Sequence, residues 1–311
     1  MADLAISTEQ LTKRYGRRRG LAGLDLGVQT GEVYGFLGPN GAGKTTTIRI
    51  LLDLIRPTSG AITVLGGEPR RLGVALRRRI GYLPGDFTVD GRQSADELLT
   101  YLGNLRGGVP RARIQALAAR LDLDLRARIR SLSKGNRQKV GLLQAFMHEP
   151  ELLVLDEPTS GLDPLLQQTF VAMVREARGA GQTVFMSSHV MSEVQQTADR
   201  VGIVREGRLV AVERVEELRE RAVRRVEIHF AEPVPPSEFA ALPGVTDVAV
   251  TDHTLHCRLS GRADALVKAA ARHTVVSLLS EEPDLEELFF TYYRGTDYRG
   301  TDYRGTDDAA R

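Results

Sequence analysis

Residues Gly38-Pro39-Asn40-Gly41-Ala42-Gly43-Lys44-Thr45 fit the pattern G-x-x-x-x-G-K-[ST]. The chemistry of such a loop is phosphate binding: main-chain N–H groups wrap the anion, and glycines at 38, 41 and 43 keep Cβ atoms out of the way. Lys44 is placed to neutralise β- and γ-phosphates, the Thr45 hydroxyl to ligate Mg²⁺, and Thr46 follows in the helix whose N-terminus faces the anion. A second reactive group lies downstream. The run Leu152-Leu153-Val154-Leu155 delivers Asp156 and Glu157 side by side, Asp156 suited to hold Mg²⁺ through its waters and Glu157 to orient or deprotonate an attacking water. His189 closes a third run in Ser187-Ser188-His189. These residue types together make a nucleoside triphosphate site, but the phosphate loop alone does not separate kinases, GTPases and ATPases.

Positioning them requires strands that end together. Glu32 to Leu37 reads as a buried strand and Lys44 to Ile55 as the helix after it; Leu152 to Asp156 and Thr183 to Ser187 are apolar runs typical of inner parallel strands. An open α/β sheet builds its sites at the carboxyl ends of such strands. Ser94 and Glu97 stand in capping-box spacing, which starts a helix running to Leu105, and a second helix is expected from Pro110 to Leu121. Together they form a helical insertion. Val201 to Val212 reads as a hairpin turning at Glu206-Gly207. From Arg224 the texture changes: Val226, Ile228 and Phe230 alternate, and the order βαββαβ points to a small α+β, ferredoxin-like unit. Three copies of YRGTD, from Tyr293, Tyr298 and Tyr303, cannot bury a core and are expected to form a disordered tail over residues 294–311.

The bulk properties set bounds. The chain has 311 residues, 42 Lys plus Arg against 40 Asp plus Glu, and a formal charge of +2, which removes the charge-based case for a nucleic-acid binder. Cys257 is the one cysteine, so no internal disulfide forms, and no Cys/His spacing fits zinc; a reducing compartment is expected. No apolar run approaches the roughly 20 residues of a membrane span, nor does the N-terminus read as a signal peptide, so work at a membrane would pass through a partner. Arg17-Arg18-Arg19 and Arg77-Arg78-Arg79 read first as solvated faces and second as contacts for anionic lipid.

Between Lys44 and Asp156 lies Leu132-Ser133-Lys134-Gly135-Asn136, leading into a helix. Here the sequence resembles the ATP-binding cassette (ABC) family, whose signature LSGGQ occupies this place in the order. The resemblance spans about residues 1–220 and takes in Tyr15 in KRYG as an adenine-stacking aromatic, Gly38 to Thr46, LLVLDEP, Ser160-Gly161-Leu162-Asp163-Pro164, and His189 as the family's switch histidine. It implies an α/β P-loop cassette with a helical subdomain at about residues 87–148, and ATP hydrolysis with Mg²⁺ held by Thr45 and Asp156. Catalysis would fall to Glu157 and His189. It also implies a homodimer in which Ser133, Lys134, Gly135 and Asn136 reach the nucleotide of the second copy and Asp163 lies at the seam. The helical insertion would dock a separate membrane permease, placing the chain on the cytoplasmic face of the cell membrane. Residues 223–293, ending in EELFFTYY, resemble the extension on cassettes of ABC-2 type drug and antibiotic exporters. An importer cassette and a non-transport soluble ABC ATPase are the alternatives.

Two departures stand out. Lys134 and Asn136 replace Gly and Gln of the signature, and Gly85 occupies the place of the family's Gln before the helical insertion, followed by Asp86 as a further candidate for Mg²⁺.

Overall fold

The computed structural model describes residues 3–281 apart from residues 17, 90 and 222. The expected tail at 294–311, the EELFFTYY segment and Arg17 lie outside the described residues.

Two sheets build the N-terminal part. Strands β1 (Leu4–Tyr15), β2 (Arg18–Gln29) and β4 (Ser59–Val64) form an antiparallel sheet in the order β2-β1-β4. The second sheet has the order β5-β6-β7-β3-β8-β9, from β3 (Val33–Leu37), β5 (Ile80–Leu83), β6 (Leu152–Asp156), β7 (Thr183–Ser188), β8 (Arg200–Arg205) and β9 (Arg208–Arg214). Its first five strands are parallel, and β9 returns antiparallel to β8 as the expected hairpin. The separate antiparallel sheet is an addition to the largely parallel arrangement read from the sequence. Its signal is the two-residue alternation Leu24, Leu26, Val28, whose side chains are all buried.

The helices are α1 (Lys44–Leu51), α2 (Pro69–Arg78), α3 (Ala95–Leu105), α4 (Arg111–Arg120), α5 (Lys134–Phe146), α6 (Pro164–Gly179), α7 (Met191–Thr197) and α8 (Val215–Arg221). α1 stops at Leu51 rather than Ile55: Asp53 turns left-handed with φ 54°, and the Leu54 N–H closes onto Arg49 O at 2.8 Å. α3 begins at the capping box, with Glu97 N–H donating to Ser94 Oγ and Ser94 N–H to Glu97 Oε2.

Every position of β3 and β6 is buried, so successive side chains serve opposite cores. On one face Val33, Leu37, Leu153 and Leu155 meet α5 and the apolar sides of α3 and α4 through Leu99, Ile114, Val140 and Leu143. On the other, Tyr34, Phe36, Val154 and Phe185 pack against Ile48 of α1 and the antiparallel sheet. The central sheet is thereby clamped, and the strand ends are left to carry polar residues.

Strands β10 (Arg224–Phe230), β11 (Val245–Thr251), β12 (Thr254–Leu259) and β13 (Val275–Ser280) form a third, antiparallel sheet in the order β11-β12-β10-β13. Helices α9 (Pro236–Ala240) and α10 (Asp264–Ala270) cover one face, enclosing Ile228, Phe230, Phe239, Leu255 and Leu266 in a core of its own. Among the described residues no helix is long and apolar enough to cross a membrane. Of the basic cluster at 77–79, Arg79 forks onto Glu151 at 2.6 and 2.7 Å and Arg77 lies 3.8 Å from Asp53, so two of the three arginines face carboxylates of the chain itself.

Candidate nucleotide site at the strand ends

The loop Gly38 to Gly43 leaves β3 and enters α1 at Lys44. Gly41 and Gly43 take φ of 82° and 112°, a left-handed backbone open to glycine. The crowding that forbids a side chain is internal: a Cβ at Gly38 would stand 2.6 Å from Val204 O, and one at Gly43 2.7 Å from Leu21 Cδ2. At Gly41 a Cβ would meet nothing within 4 Å, so its requirement is conformational and differs from the steric reason read from the sequence. The loop lines an open cleft of about 200 Å³ with Gly20, Pro39, Asn40, Gly41, Gly43, Lys44, Thr45, Thr46 and Glu157. Ala42 is buried beneath it.

Lys44 is 6% exposed, yet its ammonium donates to Gly38 O at 2.5 Å and lies 3.2 Å from Glu157 Oε1. The other Glu157 oxygen, Oε2, sits 2.6 Å from His189 Nδ1. Glu157 therefore bridges the loop lysine and the histidine, three residue types that the sequence scatters over more than half the cassette. Glu157 holds φ 49°, a strained left-handed backbone, and its N–H donates to Ser187 O and Oγ, both at 3.2 Å.

Asp156 is 2% exposed and accepts from both sides: Thr45 Oγ1 at 2.9 Å on Oδ2, Ser187 Oγ at 2.5 Å on Oδ1. A hydroxyl and a carboxylate presented together on the phosphate side fit Mg²⁺, which takes one or two protein carboxylates and completes its shell with phosphate and water oxygens. Among the described residues no group of three His, Cys, Asp or Glu could hold a metal, so these donors make a partial shell and not a cage. Ser187 escaped the sequence reading as a site residue. Glu193 did too: it accepts from Thr159 Oγ1, and from Ser188 Oγ at 2.8 Å, holding α7 to the loop after Glu157.

The remaining candidates divide. Tyr15, 47% exposed, stands beside the cleft, because its ring fills the place of a Cβ on Gly20, 2.9 Å away, and Lys13 Nζ lies 5.2 Å from the ring centre. Gly85 packs on Asp156, with a Cβ there only 3.4 Å from the carboxylate. Asp86 is exposed, and its main-chain oxygen accepts from Thr88 N–H at 3.1 Å. The signature residues do not line the cleft of their own chain. Ser133 caps α5 by accepting from Asn136 N–H at 3.2 Å; Ser133 and Lys134 are exposed, while Gly135 and Asn136 are half-buried. Asp163 caps α6 through Leu166 N–H at 3.0 Å and is likewise exposed.

The chain is similar to known proteins in sequence and in fold. A family model described as ABC transporter matches residues 21–160. The chain is 39% identical over 305 residues to the daunorubicin resistance ATP-binding protein DrrA3 of Streptomyces coeruleorubidus, covering 93% of this chain and 96% of that one. It is 36% identical over 233 residues to the bacitracin transport ATP-binding protein BcrA of Bacillus licheniformis, covering 73% and 75%. A solved structure of the ATP-binding subunit of an ABC transporter superposes with a TM-score of 0.64 at 28% identity, over 69% of this chain and 92% of that one. With the cassette fold, the phosphate loop and a relative aligned over most of both chains, the chain belongs to the ATP-binding proteins of the ABC transporter family, which are ATPases.

Proposed function

We propose that this chain is the energising subunit of an exporter, hydrolysing ATP to drive a drug, antibiotic or other amphipathic cargo through a separate ABC-2 type permease at the cytoplasmic face of the membrane. The observation that carries the hydrolytic part is the Glu157 bridge between Lys44 and His189. A triphosphate seated in the loop competes with Glu157 for the Lys44 ammonium, which frees Oε1 to accept a proton from water in line with the γ-phosphate. His189 holds the other carboxylate oxygen and fixes the direction of attack. Mg²⁺ bound at Thr45 and Asp156 would neutralise charge on the β- and γ-phosphate oxygens, with Asp86 as a third donor near Gly85. Tyr15 offers a face on which adenine stacks.

Completion of the site by a second copy is supported by the exposed signature. The N-terminal turn of α5, with Ser133 to Asn136, offers main-chain N–H groups away from its own cleft, as an anion held by another subunit requires. Exposed Asp163, the cap of α6, and Leu165 in its first turn, 73% exposed, would be covered at the seam. Residues 1–220 then act as the cassette, with residues 87–148 docking the permease. Residues 223–293 act as a ferredoxin-like accessory unit that adds contact between copies, a reading supported by the β11-β12-β10-β13 sheet order. The export direction rests on full-length similarity to a daunorubicin resistance protein.

The test is Glu157→Gln in the full chain. ATP binding should persist, turnover should fall by about 100-fold or more, and a closed dimer should accumulate with ATP in size-exclusion chromatography. Wild-type turnover would remove Glu157 as the base.

A further inference from the structure

Gln138 lies in α5 one turn beyond the signature and is 5% exposed. Its side-chain amide donates to Pro158 O at 3.0 Å and reaches Glu157 O at 3.5 Å. The Glu157 main chain is thus held from two sides. Ser187 on β7 fixes its N–H at 3.2 Å, and Gln138 on α5 fixes the carbonyl end of the same strained residue, whose φ of 49° persists only because its surroundings hold it. A second contact makes this connection stiff: a Cβ on Gly135 would lie 3.0 Å from Gly161 O, so the first turn of α5 seats directly on the loop that follows Pro158. Beside Gln138, α5 is braced by Lys139 Nζ on Asp122 O at 2.8 Å, and near its C-terminal end by Gln144 on Tyr82 O.

We propose that Gln138 is a positioning residue that ties the signature helix to the peptide carrying Glu157, so that nucleotide seated on Ser133 to Asn136 sets the hydrolytic carboxylate of the same chain. This rests on the nucleotide reading given above. A rigid helix whose N-terminus binds the second copy's γ-phosphate cannot shift without carrying the Gln138 amide, and with it the Pro158 carbonyl. The two sites then couple through a hydrogen bond, and ATP bound at one phosphate loop prepares the base of the other subunit.

The experiment compares the full chain with Gln138→Met, which keeps roughly the length and volume of the side chain and loses its amide, and with it the donor to Pro158 O. Phosphate release is followed against ATP concentration, and affinity is read with a fluorescent ATP analogue. We expect kcat about tenfold lower, KM and nucleotide Kd within about twofold, and a Hill coefficient that falls toward one from a wild-type value above it. Unchanged kcat and Hill coefficient overturn the proposal. So does a kcat loss matched by an equal loss of nucleotide affinity, because Gln138 then serves only the fold. Should Gln138→Met lower the thermal midpoint by more than about 10 °C, Gln138→Asn, which keeps an uncharged amide but withdraws it by one methylene from the Pro158 carbonyl, is read by the same criteria. Wild-type turnover in Glu157→Gln would instead fell the site reading, whatever Gln138 does.

Discussion

Replacing Ser187 by Ala removes one hydroxyl from the centre of the site. That hydroxyl is fully buried, donates to Asp156 Oδ1 at 2.5 Å and accepts from Glu157 N–H at 3.2 Å. Asp156 is itself 2% exposed, so water has little access to the oxygen left unpaired. A hydrogen bond to a charged group contributes about 1.5–3 kcal/mol, and an unsatisfied buried acceptor forfeits that range. The Glu157 N–H loses less, because Ser187 O also accepts from it at 3.2 Å. The expected destabilisation is therefore about 2 kcal/mol, which lowers the melting midpoint of a cassette of this size by about 4–8 °C. Function should suffer separately. With Oδ1 free and Oδ2 still held by Thr45, the carboxylate can rotate away from the pose proposed to hold Mg²⁺, and loss of such an outer partner typically costs about 10–100-fold in metal affinity. Differential scanning fluorimetry without nucleotide reads the first effect; ATP turnover titrated with Mg²⁺ at saturating ATP reads the second. A Ser187→Ala protein that melts within about 1 °C of wild type and keeps its Mg²⁺ half-saturation within twofold would refute the reasoning.

Other predictions test separate parts of the structure. Asp86→Ala should raise the Mg²⁺ concentration for half-maximal turnover; an unchanged Mg²⁺ titration removes Asp86 from the metal site. His148 is half-buried, with the Arg106 guanidinium 2.7 Å from its ring and Ile80 O at 3.3 Å. Burial first, then the nearby charges of Arg106 and Arg113, push its pKa from 6.5 down to about 4, against the hydrogen bond to Ile80. The unfolded chain therefore binds a proton that the folded chain refuses between those values, so stability is intact above pH 6.5 and declines as pH falls toward 4. One proton caps the slope at about 1.4 kcal/mol per pH unit, and solvent access to the half-buried ring keeps it below that cap. Urea unfolding at a series of pH values should give that slope, and His148→Gln should flatten it; equal slopes in both proteins would disprove the assignment.

Much of the site was legible because its parts are local. The phosphate loop, the run ending in Asp156-Glu157, and the capping box at Ser94 and Glu97 each depend on residues within one turn or one strand, so spacing alone identifies them. The βαββαβ order of the last described strands followed from alternation for the same reason. The end of α1 did not, because Asp53 leaves the helix through a backbone conformation that an aspartate permits but does not announce.

What only the tertiary structure decided is which distant residues share the strand ends. Parallel pairing sets Asp156 beside Ser187 and Leu37 beside Ser188, and this register brings Thr45 and Glu157 to one cleft with His189 against Glu157. A slip of one residue would turn Ser187 to the opposite face of the sheet and leave Asp156 with a single partner. Gln138 meets Pro158 for a similar reason, since the packing of α5 on the sheet, and no feature of its own segment, aims its amide at that carbonyl. Sequence spacing fixed the chemistry of each segment, whereas the contacts that hold Asp156 and Glu157 in place come from strand register and helix packing over long separations, which no local pattern encodes.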